Sequence, residues 1–187
     1  MVKKNTCVFI SGKGTNLNNL IIKSRIYNFP IKIKLVISNN RKAPGIDIAK
    51  KNSIPFYIIN TKSRYFENQT LTLLKKYNIS LICLAGYMKI LSKNFIFKFG
   101  KKIINIHPSL LPKFKGLNTF ERVIDKKESK TGCTVHFVND RLDSGKIIIQ
   151  KYFDIVKGDN EKTLKFKTQR LEYSAFPEAI IRLYRHT

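Results

Sequence analysis

The chain has 187 residues, of which 43% are hydrophobic and 11% aromatic, and its formal net charge at pH 7 is +24. This size and apolar content are typical of one globular domain with a buried core, and they exclude an intrinsically disordered chain. An apolar run long enough for a membrane-spanning helix is missing, and the apolar stretch near the first residue is too short for a secretory signal. We therefore expect a cytoplasmic protein that has no membrane partner.

The first half of the chain alternates between apolar runs and amphipathic stretches. The runs are aliphatic or β-branched almost throughout, which is typical of strands covered on both faces. They comprise residues 7–11, 33–38, 56–60, 81–85 and 103–106. Helical patterns separate the first four runs, at residues 16–24, 45–52 and 64–77. This order predicts an α/β fold with a doubly wound, mostly parallel sheet and right-handed crossovers.

The pattern changes after residue 106. Pro108, Pro112 and Gly116 predict a long irregular loop, and a helix is expected over residues 119–127. The segments 133–138 and 146–152 are typical of strands, with a turn at residues 139–145 between them. A helical pattern over residues 160–184 ends the chain, and Pro177 is expected to kink or restart that helix. The absence of a linker-like segment or composition shift predicts a single domain over residues 1–187.

A glycine-rich turn follows the first predicted strand. It comprises Ser11, Gly12, Lys13, Gly14, Thr15 and Asn16, and the first predicted helix begins there. Glycines permit a tight turn, and the N–H groups at a helix start attract anions such as phosphate. Leu17 stands where a dinucleotide fingerprint needs glycine, so a phosphate monoester fits better. The structural alternative is a tight turn in which Thr15 or Asn16 caps the helix.

Two further motifs carry polar side chains suited to acyl chemistry. Asn105 and His107 lie two residues apart at the end of a predicted strand, so both should point to one side of the sheet. An amide can stabilise an oxyanion, and an imidazole can shuttle a proton. Asp143, in the predicted turn, would raise the pKa of His107 if it came close. Read alone, His107 could brace a loop, and the turn could be an ordinary solvated one.

These motifs, with several neighbouring blocks, resemble the phosphoribosylglycinamide formyltransferases, the folate-dependent enzymes of purine (IMP) synthesis. The Asn-x-His-x-Ser-x-Leu-Pro block at residues 105–112 is similar to all folate formyltransferases of this type. Two blocks, Gly-Lys-Gly-Thr-Asn at 12–16 and Ala-Gly-Tyr-Met-Lys-Ile-Leu at 85–91, resemble the glycinamide members in particular. The resemblance implies a formyltransferase fold with a Rossmann-like N-terminal half. Residues 1–100 or so would bind phosphate, and residues 101–187 would carry catalysis and cover the folate.

The resemblance also implies a reaction and a set of site residues. The formyl group of 10-formyltetrahydrofolate would move to the amine of N1-(5-phospho-D-ribosyl)glycinamide. Asn105 would polarise the formyl oxygen, His107 would donate the proton and Asp143 would tune its pKa. The substrate would contact Gly14, Thr15, Asn16 and Glu172. The folate would contact Arg64, Met88, Lys89, Ile90, Leu91, Asn105, Asn139 and Asp140.

The sequence departs from the family pattern at three positions. Lys89 stands where arginine is common, which matters little for a contact made through the backbone. Asn118 and Phe120 occupy positions that usually carry histidine. His107 and His136 remain, so only the support around the amine site changes.

Three other functions compete with glycinamide formylation. The high positive charge suits a nucleic-acid-binding protein, but the lysines are scattered and no compact basic stripe with interleaved aromatics exists. Compositional drift toward Lys, Ile and Asn explains the charge better, so nucleic acid is not expected as a partner. A methionyl-tRNA formyltransferase or a formyltetrahydrofolate hydrolase usually carries a second domain, for which no residues remain here.

The remaining expectations concern metals, thiols and assembly. Cys7, Cys83 and Cys133 lack the spacing of a metal site and should be reduced structural thiols. We expect no metal, small-molecule partners only, and a monomer or a homodimer.

Overall fold

The computed structural model describes residues 2–185, in which seven strands and six helices form. The strands are β1 Lys4–Ile10, β2 Ile31–Ser38, β3 Phe56–Ile58, β4 Leu81–Leu84, β5 Lys102–His107, β6 Lys130–Phe137 and β7 Ile147–Asp154. The helices are α1 Thr15–Ser24, α2 Gly45–Lys51, α3 Phe66–Lys76, α4 Lys93–Phe99, α5 Thr119–Asp125 and α6 Glu161–Tyr184. Within this described part, no helix is both long and apolar enough to span a membrane.

The predicted fold class, α/β with a mostly parallel sheet, is confirmed. The strands follow the order β3-β2-β1-β4-β5-β6-β7. β1 pairs in parallel with β2 and β4, and β2 pairs in parallel with β3, whereas β6 and β7 are antiparallel. Contacts divide the chain into two compact units, Met1–Ile104 and Asn105–Thr187. The single domain over residues 1–187 stays a prediction.

The first unit is built around strand β1, which is buried along most of its length. From Thr6 to Ile10 every residue of β1 is buried, as expected for a central parallel strand with both faces covered. Helix α1 buries Leu17, Leu20 and Ile21, which recur at helical spacing on one side of the helix. The carboxyl ends of β1 and β4 lead directly into the glycine-rich turn and the 85–91 block.

Helix α4 was not predicted from the sequence. Ser92 caps it, because the Ser92 hydroxyl accepts a hydrogen bond of 3.0 Å from the Phe95 N–H. Phe95 and Phe99, four residues apart, form the buried side of the helix. Gly100, with φ of 60°, ends it in the left-handed conformation.

The second unit packs one long helix against an antiparallel strand pair, since α6 contacts both β6 and β7. Asn160 and Thr163 form a reciprocal capping box at the start of α6. Of the expected kink or restart at Pro177, the restart is wrong, because α6 is a single helix of 24 residues, and the kink stays a prediction. Pro177 removes one backbone hydrogen bond, but Ala175, Phe176 and Ile180 are buried around it, and this packing holds the helix together.

Candidate active site

The glycine-rich turn of the first unit is held in place by close backbone packing. Gly14 precedes α1 with φ of 73°, and a Cβ added there would lie 2.6 Å from the Gly45 Cα. The Gly45 N–H donates to the Gly12 carbonyl over 3.0 Å. The alternative in which Thr15 or Asn16 caps α1 is wrong, because the helix begins at Thr15 and Gly14 occupies the cap position without a side-chain bond. The first turn of α1 also carries no acidic residue, so its N–H dipoles suit an anion.

Ser11 connects this turn to the 85–91 block within the same unit. The Ser11 hydroxyl donates to Asn39 Oδ1 over 2.5 Å and accepts from the Met88 N–H over 2.8 Å. The Asn40 side chain adds a bond of 3.0 Å to the Ser11 carbonyl. The backbone at Met88 therefore depends on a side chain of the glycine-rich turn, a link that sequence reasoning missed.

The four predicted folate residues after β4 differ in exposure. Met88, Lys89 and Ile90 are exposed, whereas Leu91 is buried and anchors the segment. Glu67 of α3 fixes the end of the segment, because its carboxylate accepts from both the N–H and the hydroxyl of Ser92. The exposed part presents backbone groups and two large apolar side chains, which suit a flat heteroaromatic ligand.

Arg64 lies just before α3 rather than inside it, because the helix begins at Phe66. Its guanidinium lies over the ring of Tyr65, 4.7 Å from the ring centroid. Both side chains are exposed.

In the second unit, four polar side chains converge at the ends of β5 and β6. Asn105 and His107 come from β5, and His136 comes from β6. Asp143 follows in the turn between β6 and β7, with a φ of 45° that a non-glycine residue rarely adopts. His107, His136 and the Asp143 carboxyl are almost fully buried. Sequence reasoning noted His136 only as retained, although it lies in the middle of this cluster.

Asp143 contacts both histidines. Its Oδ2 lies 3.4 Å from His107 Nδ1, and its Oδ1 lies 3.6 Å from His136 Nε2. Asn105 Nδ2 lies 3.2 Å from the same His136 nitrogen. His136 Nδ1 is 2.8 Å from the Phe137 carbonyl, which can only accept. Nδ1 of His136 therefore donates to this carbonyl, and Nε2 can accept from one N–H of the Asn105 amide.

The loop after β5 supplies backbone partners to both members of the His107–Asp143 pair. His107 Nε2 donates to the Phe114 carbonyl over 2.9 Å. The Gly116 N–H donates to Asp143 Oδ2 over 2.9 Å. Both ring nitrogens of His107 thus face acceptors, an arrangement that only the doubly protonated ring satisfies completely. Phe114 and Gly116 are contacts that the sequence did not reveal, because they act through backbone atoms.

The net shift of the His107 pKa is opposite to the expected one. Burial lowers the pKa of His107 below its ordinary value and outweighs the raising effects of the Phe114 carbonyl and of Asp143. The expectation that Asp143 would raise this pKa is correct for the effect of the carboxylate alone. It is wrong for the net shift, which is downward. Burial raises the pKa of Asp143, but the interactions with His136, the Gly116 N–H and His107 outweigh it and hold that pKa below the ordinary value.

The other predicted site residues of the second unit are Asn139, Asp140 and Glu172. Asn139 accepts from the Arg141 N–H within its own turn, and Asp140 is exposed beside it. Glu172, on α6, is half-buried and near Cys133, where burial first and then the Glu172 charge raise the thiol pKa to about 12. Their assignment to substrate and folate stays a prediction.

Nothing in residues 2–185 forms a group of three or more His, Cys, Asp or Glu side chains that could hold a metal ion. Cys7, Cys83 and Cys133 are buried free thiols on β1, β4 and β6. Burial raises the pKa of Cys133 to about 12 and that of Cys7 and Cys83 further, so these thiols are not nucleophiles near neutral pH.

Comparison with known proteins agrees with this geometry. The family model described as "Formyl transferase" matches residues 4–180. The phosphoribosylglycinamide formyltransferase of Haemophilus influenzae is 40% identical over 182 residues, which cover 95% of this chain and 85% of that protein. The human trifunctional purine biosynthetic protein adenosine-3 is 41% identical over 95% of this chain, but the chain spans only 18% of that protein's length.

Solved structures show the same relationship. The phosphoribosylglycinamide formyltransferase of Brucella melitensis superposes with a TM-score of 0.92 at 34% identity, covering 100% of this chain and 97% of that one. The Coxiella burnetii enzyme of the same name gives a TM-score of 0.89 at 40% identity, covering 96% and 86%. With the family model matching nearly the whole chain, this protein belongs to the formyl transferase family.

Proposed function

We propose that this protein transfers the formyl group of 10-formyltetrahydrofolate to the amine of N1-(5-phospho-D-ribosyl)glycinamide in purine biosynthesis. The observation that carries the proposal is the buried cluster in which Asp143 contacts His107 and His136, and Asn105 contacts His136. Acyl transfer to an amine can use an amide that stabilises the oxyanion and an imidazole, paired with a carboxylate, that moves the proton. The identity to enzymes named for this reaction supports the choice of substrates.

The amide of Asn105 would stabilise the charge that develops on the formyl oxygen. When the neutral amine attacks the formyl carbon, the carbonyl π electrons move to oxygen. One N–H of Asn105 is used by His136, and this bond holds the amide in place. The second N–H would donate to the oxyanion, and losing one such donor typically costs about 3 kcal/mol of transition-state stabilisation.

His107 would carry one proton from the attacking amine to the leaving folate nitrogen. Its Nε2 first has to exchange the Phe114 carbonyl for the reacting atoms, because that carbonyl holds it in the present arrangement. The single proton of the neutral ring would then lie on Nδ1, toward Asp143, instead of on Nε2, and this change leaves Nε2 as a base. Nε2 accepts the amine proton and passes it to the folate nitrogen as the C–N bond to the formyl carbon breaks.

The lowered pKa of His107 suits this order of events. Near neutral pH the buried ring is mostly neutral, so it can act as a base before it acts as an acid. Asp143, ionised at that pH, stabilises the imidazolium that forms between the two proton transfers. The pair thus works as a shuttle rather than as a proton donor charged in advance.

The first unit would bind the non-reacting parts of both substrates. The N–H groups at the start of α1, with Gly14, Thr15 and Asn16, would hold the ribose phosphate. Backbone groups of Met88, Lys89, Ile90 and Leu91 would contact the pterin, and Arg64 would also contact the folate. We assign Glu172 to the ribonucleotide and Asn139 and Asp140 to the folate on the family resemblance alone. We further propose a cytoplasmic enzyme that works as a monomer or a homodimer.

The proposal is tested by incubating the purified protein with 10-formyltetrahydrofolate, with and without glycinamide ribonucleotide. We expect loss of the formyl folate only when the ribonucleotide is present, with a formylated ribonucleotide as the product. Formate released without the ribonucleotide would show a hydrolase instead. Tight, strongly salt-dependent RNA binding without any loss of formyl folate would favour a nucleic-acid-binding protein.

A further inference from the structure

The turn that follows the 105–112 motif is strained and bears on both members of the His107–Asp143 pair. Phe114, Gly116 and Asn118 all have positive φ, at 56°, 79° and 54°. Such a conformation is costly for Phe114 and persists only where surrounding contacts hold it. The Phe114 carbonyl is the backbone partner of His107, and the Gly116 N–H is that of Asp143.

Arg122 provides contacts that hold this turn. Its Nη1 donates to the Lys115 carbonyl over 2.6 Å and to the Leu117 carbonyl over 3.3 Å. The same guanidinium lies over the Phe114 ring, 5.5 Å from the centroid. One planar group therefore contacts three of the four residues from Phe114 to Leu117, which a lysine ammonium could not reproduce.

The start of α5 depends on these contacts because it lacks a side-chain cap. Asn118 occupies the cap position in a left-handed conformation and makes no capping bond. Arg122 lies in the last turn of α5, and its side chain reaches back to the carbonyls before Asn118. Its guanidinium donates to carbonyls of the turn, so it joins the helix to the turn without capping the free N–H groups of the first helical turn.

We propose that Arg122 is a positioning residue: by fixing the turn from Phe114 to Leu117, it sets the partners of His107 and Asp143. It acts through the backbone and does not touch the reacting atoms. Its effect on rate rests on the proposed function, whereas its effect on the two backbone bonds does not.

The charge of Arg122 and its anchoring role act on His107 in opposite directions. The groups that face His107 are Asp143 and His136, with Arg122 beyond the turn; Lys115 contacts the neighbouring Ser144. The Arg122 charge lowers the His107 pKa, while the Phe114 carbonyl that Arg122 helps to hold raises it. A substitution that keeps the charge but removes the planar fork separates the two effects.

The experiment compares Arg122→Lys and Arg122→Met with the exposed-lysine control Lys126→Gln at the end of α5. NMR follows the titration of the His107 ring, assigned with His107→Asn among the three histidines, and amide exchange of Gly116. We expect the His107 pKa to fall further in Arg122→Lys, and Gly116 exchange to become roughly fivefold faster in both Arg122 variants. Lys126→Gln should leave the His107 pKa and the Gly116 exchange rate unchanged.

A purely electrostatic role gives a different pattern. Arg122→Lys would then titrate like the wild type, and Gly116 exchange would stay slow in Arg122→Met; either result overturns the proposal. In the transfer reaction, we expect kcat to fall roughly fivefold in Arg122→Lys with little change in either KM. If the wild type transfers no formyl group, the proposed function fails, while the titration and exchange results still decide the role of Arg122.

Discussion

At the scale of single residues, the proposed chemistry depends on a histidine whose environment acts on its pKa in two directions. The Phe114 carbonyl and Asp143 favour the charged ring, and burial favours the neutral one. The blocks that resemble the family predicted that Asp143 lies close to His107. They did not predict how deeply the two side chains are buried or which backbone groups they contact. Burial depends on how the loop after β5 folds over the pair, and nothing in the Asn-x-His spacing encodes that.

Replacing Asp143 tests its contribution to this balance. In Asp143→Asn the carboxylate that raises the His107 pKa is removed, so that pKa should fall further below its ordinary value. The weaker base should also lower kcat by about 100-fold, the range typical of general acid–base groups. NMR titration of the His107 ring measures the first effect. The control is Asp140→Asn, an exposed carboxylate in the same turn; equal titration curves for His107 in the two variants would refute the role.

At the scale of elements, the apolar runs predicted the strands well because parallel strands buried on both faces consist of little else. Helix α4 was missed, although Ser92, the Phe95–Phe99 pair and Gly100 are standard start, face and end signals. In its run Asn-Phe-Ile-Phe-Lys-Phe, phenylalanine also recurs at every second position, as apolar residues do in a strand, so the local pattern is ambiguous. The restart predicted at Pro177 is wrong for a different reason: the local signal is clear, but tertiary packing outweighs it and α6 continues.

Gly45, at the start of α2, lets the glycine-rich turn pack directly against the backbone of this helix. A Cβ at this position would meet Ile10 Cδ1 at 2.7 Å and the Gly14 Cα at 3.0 Å. Gly45→Ala should therefore lower the free energy of unfolding by about 1–3 kcal/mol, the usual range for overpacking. It should also raise the KM for the ribonucleotide. Urea unfolding measures the first effect, with Gly12→Ala as the control because a Cβ there meets nothing within 4 Å. Similar stabilities for the two variants would contradict the packing account.

Ser11 joins the glycine-rich turn to the Met88 backbone. Ser11→Ala leaves the Met88 N–H and Asn39 without their shared partner, which loosens the segment proposed to contact the pterin. We expect the KM for formyl folate to rise roughly tenfold, in line with the loss of one or two hydrogen bonds. Steady-state kinetics with varied folate measure this. Ser80→Ala, before β4, removes a comparable hydroxyl and should leave that KM unchanged; an equal rise in both variants would deny Ser11 a specific role.

At the scale of the whole molecule, the excess of 36 basic over 12 acidic residues dominates the electrostatics. Some acidic groups are shared between bases, as when Glu178 pairs with both Lys151 and Arg182. Repulsion among the remaining lysines opposes the compact state, and the positive field attracts anionic substrates. Composition alone predicted this charge, but it could not distinguish recruitment of small anions from binding of nucleic acid.

Added salt should therefore stabilise the protein. Screening weakens the repulsion among lysines more than it weakens the few short ion pairs, so Tm should rise by a few degrees between about 20 mM and 500 mM sodium chloride. Differential scanning calorimetry measures the change, with uncharged sucrose at equal osmolality as the control for effects other than screening. A Tm that falls with salt would show that attractive pairs outweigh the repulsion.

The most direct test of the account measures single-turnover transfer of a carbon-13 formyl group from 10-formyltetrahydrofolate to glycinamide ribonucleotide, in the wild type and in His107→Asn at saturating substrates. We expect the label on the ribonucleotide in the wild type, and a rate at least 100-fold lower in a folded His107→Asn protein, because the proton shuttle is lost. Transfer in His107→Asn within a few-fold of the wild-type rate would contradict the claim that His107 carries the proton.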